Sequence, residues 1–285
     1  MITAKNLRFT YPGSKDEVLK GLDFQVGKGE IYGFLGPSGS GKSTTQKILY
    51  KLLGNYTGEV QVGGEELNRL GSEYFHRIGV GFELPNHYLK LTGRENLKLF
   101  SQFYRKEKLR SFDELLEMVG LLKDADRKVE GYSKGMKMRL NFIRALLHDP
   151  DLLFFDEPTS GMDPGNARLI KDCILGLRAK GKAVFITTHN MFTADELCDR
   201  VAFLAEGEIV ASDSPTQFKL EHGSHNVTVE LEQDPQGKAH QFPLAGIGEN
   251  TAFLELIRQS PVKTIHTQEA SLEEVFLKLT GKVLN

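Results

Sequence analysis

The chain has 285 residues, 40% of them apolar and 26% charged, a size and balance that fit a soluble globular protein with one large domain or a main domain plus a small appendage. A formal net charge of −2 gives no bulk electrostatic hold on nucleic acid, and the two cysteines, Cys173 and Cys198, lie outside any CxxC or His-rich context, which argues against a disulfide framework and a structural zinc site and favours a reducing compartment. The N-terminus lacks the apolar region of a signal peptide, and no apolar run approaches the roughly 18 residues that span a bilayer, so a role at a membrane calls for another chain that crosses it.

In chain order, "ITAKNLRFTY" and "VLKGLDFQVG" read as strands broken by "PGSKDE". "EIYGFLG" reads as a short buried strand entering a glycine-rich turn, and "KSTTQKILYKLLG" as a helix ended by Gly54. "GEVQVGGEEL" follows as a hairpin strand and turn, and "HRIGVGFEL" as another strand. From about Thr92 to Leu147 the pattern is helical, with capping-box spacing at Thr92/Glu95 and Ser111/Glu114. "DLLFFDEP" is a buried strand, and the next helix has Asp163 and Pro164 at its start and Gly181 past its end. "KAVFITTH" is a strand, "TADELCDR" a capped helix, and "VAFLAEGEIVAS" two strands around a turn. Strands alternating with helices predict an α/β fold with a parallel sheet, into which the block 92–147 is inserted. The first domain is expected over 1–220. Residues 221–285 read as a small α+β accessory domain: a polar hairpin, a helix near 249–259, the strand "VKTIHT" and the capped helix "SLEEVFLKLTG".

The segment "GPSGSGKST" matches the pattern G-x-x-x-x-G-K-S/T between a buried strand and a helix. Glycines let such a loop wrap with its N–H groups turned inward toward phosphate oxygens, and the helix start adds partial positive charge. Gly36, Pro37, Ser38, Gly39, Ser40, Gly41, Lys42, Ser43 and Thr44 are therefore candidate nucleotide-binding residues, with Lys42 reaching the outer phosphates and the Ser43 hydroxyl a ligand for Mg²⁺. "LLFFDE" ends an apolar strand on two carboxylates: Asp156 suits Mg²⁺, and Glu157 suits a base that orients or deprotonates water. His189 closes the strand "AVFITT", where an imidazole at a sheet's C-terminal edge can meet a γ-phosphate, and Tyr11 offers a face for adenine. Ser133 is a good N-cap for a helix whose Met136, Leu140, Ile143 and Leu147 share a face; with the close-approach glycine Gly135 the same helix start is also an anion site.

Taken together and in order, these motifs resemble the nucleotide-binding subunit of an ATP-binding-cassette (ABC) transporter over about residues 1–220. "GPSGSGKST" is similar to Walker A, "YSKGM" to the signature motif, "LLFFDE" to Walker B with its catalytic glutamate, "SGMD" to the D-loop and "TTH" to the switch histidine. The resemblance implies a P-loop NTPase core that binds ATP with Mg²⁺, catalytic roles for Glu157, His189 and Lys42, and a head-to-tail homodimer with ATP between Walker A of one copy and Ser133 and Gly135 of the other. It also implies a permease on a separate chain and a cytoplasmic place at the inner face of the membrane. The sequence departs from the family pattern at Tyr132, Lys134 and Met136 within the signature and at Glu83, where the family has its lid glutamine; a glutamate there remains a ligand for Mg²⁺ or water. "LTGRENL", "YSKGMK" and "SLEEVFLKLTG" resemble the bacterial branch that exports antibiotics, lipids or polysaccharides. The alternatives are a soluble ABC ATPase without transport, disfavoured by the absence of a long coiled-coil insertion or a second cassette, and a nucleotide-dependent regulator, disfavoured by the intact Lys42, Asp156, Glu157 and His189.

Overall fold

A computed structural model describes residues 1–105, 109–222, 226–232, 239–268 and 271–281. They form two compact units, one over Met1–Ser214 and one beginning at Pro215.

The first unit contains two sheets. One is antiparallel, in the order β2 (Glu17–Val26), β1 (Ile2–Thr10), β4 (Thr57–Val62), β5 (Glu65–Glu66). The other runs β10 (Glu208–Asp213), β9 (Arg200–Ala205), β3 (Ile31–Leu35), β8 (Ala183–Thr188), β7 (Leu152–Asp156), β6 (Ile78–Gly81), parallel from β9 to β6 with β10 antiparallel at the edge. Every residue of β3 and β8 is buried. This is the signature of a strand covered on both faces, and explains why "IYGFL" and "AVFITT" are continuous rather than alternating. A shared core of Leu7, Leu22, Phe24, Phe34, Phe154, Phe185 and Leu204 packs between the sheets, with Phe34 and Phe185 ring centroids 4.8 Å apart.

The helical block expected at 92–147 contains α2 (Gly93–Ser101), α3 (Phe112–Met118) and α4 (Lys134–Arg144), all between β6 and β7. Thr92 and Glu95 complete a capping box at α2, whereas at α3 only the Ser111 hydroxyl accepts, from the Glu114 N–H at 3.4 Å. Two helix boundaries differ from expectation. The first helix, α1 (Lys42–Leu49), stops well before Gly54, because Lys51 adopts the left-handed conformation (φ 61°) and the N–H groups of Leu52 and Leu53 both turn back to the Lys47 carbonyl. The helix after β8, α6 (Met191–Leu197), begins before "TADE", since Asn190 rather than Thr193 supplies the capping oxygen. Between these lies α5 (Pro164–Ala179), capped by Asp163 with Pro164 in its first turn.

In the second unit α7 (Pro215–His222) and α9 (Leu272–Thr280) accompany a three-stranded antiparallel sheet, β12 (His240–Pro243), β11 (Asn226–Leu231), β13 (Val262–Gln268), with α8 (Thr251–Gln259). Val227, Val229, Phe218, Leu272, Val275 and Phe276 are buried there. The turn of the expected hairpin, 233–238, lies outside the described residues.

Gly79 lets β6 meet the end of the helical block: a Cβ there would lie 2.1 Å from the Ala145 carbonyl oxygen and 2.9 Å from Pro150 Cγ. Gly79→Ala is therefore expected to destabilise the first unit by about 1–3 kcal/mol, the cost of overpacking against backbone that cannot yield. A denaturant titration reads this as a lower midpoint at unchanged slope.

Candidate active site

The loop from Gly36 to Gly41 joins β3 to α1. Two of its glycines are required by close approach. A Cβ on Gly36 would sit 2.1 Å from the Leu204 carbonyl oxygen, and one on Gly41, at φ 107°, would sit 2.6 Å from a Leu19 methyl. Gly41 is also the N-cap of α1 and offers no side-chain acceptor to its first turn, which holds no acidic residue. The donors at this helix start therefore remain available to an anion. Ser40 Oγ, nearly fully buried in the same loop, has no hydrogen-bond partner among the described residues. The residues fit a bound polyphosphate.

A cavity of about 450 Å³ opens over this loop. It brings together Tyr11, Ser38, Gly39, Gly41, Lys42, Ser43 and Thr44 with Glu83, Asp156, Glu157 and His189. The Tyr11 hydroxyl lies 3.1 Å from Thr44 Oγ1, and its ring meets Phe9 edge-on at 4.9 Å. Lys42 Nζ donates to the carbonyls of Gly36 (2.6 Å) and Pro37 (2.9 Å). Burial pulls the Lys42 ammonium below its ordinary pKa, while the carboxylates of Glu157, Asp156 and Glu83 act in the opposite direction.

At the end of β7, Asp156 Oδ1 accepts from Ser43 Oγ at 3.5 Å and from the Thr187 hydroxyl. Ser43 in the first turn of α1 and Asp156 at the end of β7 form an oxygen donor set that fits a hard divalent cation whose remaining ligands are water and phosphate. Glu83 borders the same cavity, and among the described residues no group of three or more His, Cys, Asp or Glu side chains stands close enough to enclose a metal on its own.

Glu157 is the most constrained residue of the site. It is 8% exposed and has φ 48°, a left-handed backbone rare for a non-glycine residue. Its N–H donates to the Thr187 carbonyl at 2.9 Å. Its carboxylate accepts from Thr188 Oγ1 (2.9 Å) and from the His189 N–H (2.8 Å), and Oε1 lies 2.6 Å from His189 Nδ1. An ionised carboxylate can only accept, so Nδ1 carries the proton in this pair and Nε2 is left as the other ring nitrogen of the exposed imidazole. Thr187 and Thr188 were not singled out by sequence; their position immediately before the histidine is the only local signal.

Ser133 and Gly135 stand outside this cavity. Ser133 is exposed and caps α4 through the Met136 N–H at 3.2 Å, and the space where a Gly135 side chain would lie holds only Asn166 Nδ2, at 3.9 Å.

Comparison with known proteins gives two family matches: an ABC transporter model over residues 19–160 and a fluoroquinolone efflux ABC transporter C-terminal domain over residues 225–269. A fluoroquinolones export ATP-binding protein of Mycobacterium tuberculosis is 50% identical over 285 residues, covering 100% of this chain and 94% of that protein. A linearmycin resistance ATP-binding protein of Bacillus subtilis is 33% identical over 98% of this chain and 84% of its own length. Among solved structures, an ATP-binding subunit of an ABC transporter superposes with a TM-score of 0.69 at 27% identity, over 78% of this chain and 93% of that one. A dimeric ATP-binding cassette in a post-hydrolysis state with ADP and phosphate gives 0.66 at 28% identity, over 75% of this chain and 98% of that one.

Thr188→Val removes one of the donors to the buried Glu157 carboxylate while keeping the side chain's shape. A hydrogen bond to a charged group contributes about 1.5–3 kcal/mol, so ATP turnover is expected to fall by roughly one to two orders of magnitude with ATP affinity near wild type. Turnover and equilibrium nucleotide binding measured on the same preparation check this.

Proposed function

The chain belongs to the ABC transporter family as an ATP-binding subunit, and from that premise we propose that its ATPase activity drives a permease on a separate chain that exports fluoroquinolone-like compounds. The chemistry rests above all on the convergence of Thr188, His189 and the β8 backbone on Glu157. That grip leaves the carboxylate one orientation, toward the cavity that also holds Lys42 and Asp156. In this reading Glu157 orients the attacking water and takes its proton, while Lys42 turns from its own loop carbonyls to the outer phosphates of ATP. With Nδ1–H kept on Glu157, His189 donates to the transferred phosphoryl group through Nε2 when the ring carries its second proton, and Tyr11 faces the adenine. Ser43 and Asp156 would hold Mg²⁺, with Glu83 bordering the same cavity, and the cation would supply charge stabilisation for the phosphates.

Ser133 and Gly135 act on the nucleotide of a second copy. The exposure of Ser133 and the absence of both residues from the cavity of their own chain support this, as does the lack of an acidic side chain in the first turn of α4. The result is a head-to-tail homodimer that closes on ATP.

The permease occupies a second, largely apolar groove of about 420 Å³, bordered by Leu52, Phe75, Phe82, Phe100, Tyr104 and Arg144. Leu52 is 64% exposed and Phe75 46% exposed, and the exposed Tyr88 and Phe103 lie against the Phe100 ring. Such a patch on an export ATPase fits a cytoplasmic segment of the membrane subunit. No helix among the described residues is long and apolar enough to cross a membrane, and docking here places the chain on the cytoplasmic face. Fluoroquinolone-like cargo is supported by the 50% identity to an export protein over all 285 residues, which includes the segment matching the efflux C-terminal domain.

Glu157→Gln keeps the shape of the carboxylate but cannot accept a proton. Hydrolysis is expected to fall by about 10²–10⁴ with ATP affinity close to wild type. The variant should accumulate as a dimer in ATP and Mg²⁺, seen by analytical ultracentrifugation. Near-normal turnover would remove Glu157 from the catalytic role.

Phe75→Glu with Leu52→Glu should sharply reduce recovery of the permease with this chain in mild detergent, and should abolish the fluoroquinolone resistance that the pair confers on cells. Full recovery of the permease by the double variant would place its docking surface elsewhere.

A further inference from the structure

Between β6 and α2 the chain passes through Phe82–His87, which no helix or strand covers and which carries Glu83 to the nucleotide cavity. The segment is held from outside, by one face of α4. Asn141 Nδ2 donates to the Phe82 carbonyl at 2.7 Å, and Arg144 Nη1 to the Asn86 carbonyl at 2.6 Å. His87 Nε2 lies 2.9 Å from the Lys137 carbonyl, and since a carbonyl only accepts, that nitrogen bears the ring proton. Lys137, Asn141 and Arg144 are spaced by four and three residues, as one helix face requires. The side chains also brace each other, with Arg144 Nη2 on Asn141 Oδ1 at 2.7 Å.

Asn141 is 3% and Arg144 9% exposed. A buried guanidinium needs acceptors, and Arg144 finds them in the Asn86 carbonyl and Asn141, with its charge over the Phe100 ring at 4.5 Å. Downstream the attachment continues through backbone bonds: Val129 N–H to Leu91 O and Glu130 N–H to Leu89 O, both 2.9 Å, and Arg94 N–H to Ala125 O, also 2.9 Å. Residues 82–94 are thus joined to the signature helix and to the chain leading into it at six points, although Phe82 and Asn141 are 59 residues apart in sequence.

We propose that Asn141 and Arg144 are positioning residues for Glu83: they fasten the Phe82–His87 segment to α4, so that Glu83 at the nucleotide cavity and Ser133 at the start of α4 shift as one body. Arg144 and Phe82 also border the apolar groove, so an occupant that displaces either displaces Glu83 with it. The inference rests on the reading that Glu83 acts at the ATP site.

The test is a double-mutant cycle on the full chain. Asn141→Asp keeps the acceptor for Arg144 but sets a carboxylate oxygen against the Phe82 carbonyl in place of a donor. Its kcat is expected to fall about tenfold, the equivalent of one lost hydrogen bond to the segment, with KM for ATP within about twofold of wild type. Amide hydrogen exchange over residues 83–88 should rise severalfold while that of α4 is unchanged. In a Glu83→Ala background, Asn141→Asp should lower kcat no further than about twofold, because interacting sites are not additive. A tenfold loss in both backgrounds, or unchanged exchange over 83–88, overturns the positioning role and leaves the Glu83 reading standing. A wild-type rate in Glu83→Ala alone overturns the reading of Glu83 itself, and the inference with it. Where Asn141→Asp lowers the folded fraction, Arg144→Lys, which withdraws the donor from Asn86 and leaves Asn141 on Phe82, is read in the same cycle with the same outcomes.

Discussion

A carboxylate taken out of water must have its charge met by donors, and at the end of β7 this requirement fixes the register of the sheet. Asp156 pairs with Thr187 across β7 and β8, and Leu35 pairs with Thr188 across β3 and β8. This alignment is what delivers the Thr187 and Thr188 hydroxyls and the His189 N–H to Asp156 and Glu157. It also starts the phosphate loop beside them. A slip of one residue would turn Thr188 to the opposite face and leave Glu157 buried without its hydroxyl donor. The order β3, β8, β7 thus does more than close a core. It makes the central strand a rack of donors for its neighbour's carboxylates, on the edge where the glycine loop approaches.

The next strand extends the same logic. β6 lies beside β7 with Gly81 opposite Phe155, so the segment carrying Glu83 leaves the sheet at the edge where Asp156 and Glu157 sit. From there two bodies meet at the nucleotide cavity. The strand ends and the glycine loop belong to the sheet. Glu83 belongs, by its attachments, to the helical block, and that block also bears Ser133. The apolar groove lies along the seam between them, lined from one side by Tyr50, Leu52 and Phe75 and from the other by Phe100, Tyr104 and Arg144.

What was legible in the sequence is what is local. The run from Gly36 to Thr44 carries its own loop conformation and its own helix start, and "LLFFDE" carries both the burial of a parallel strand and the carboxylates at its end. Asp163 before Pro164 marks a helix start because capping is settled within four residues. The misplaced boundaries have equally local causes that propensity does not show: a lysine at φ 61° ends α1, and Asn190 outcompetes Thr193 as the cap of α6. The attachment of the lid was not legible. Asn141 and Arg144 sit within "NFIRALL", where they read as polar interruptions of an apolar helix. Their partners are 59 and 58 residues away, and nothing near Phe82 or Asn86 announces an acceptor. A charged residue at core spacing was the one available signal, and it calls for a buried partner without saying which.

The departures in the signature segment make sense on the same footing. Tyr132 is 4% exposed and donates to the Asp124 carbonyl at 2.7 Å. A Cβ on Gly93 would come within 2.5 Å of its hydroxyl, so the large residue at this position is matched by a missing side chain at the start of α2. Lys134 lies across the other side: its ammonium occupies the space 2.5 Å from where a Cβ on Gly161 would be. Both side chains are therefore accommodated by glycines of their own chain. Ser133 and Gly135, which alternate with them, are the positions left open at the start of α4. Because alternate residues at a helix entry point to different sides, Tyr132 and Lys134 can be rebuilt against the chain's own packing without altering what Ser133 and Gly135 present. In this respect the segment changes the side that packs against its own chain and leaves Ser133 at the surface as the cap of α4.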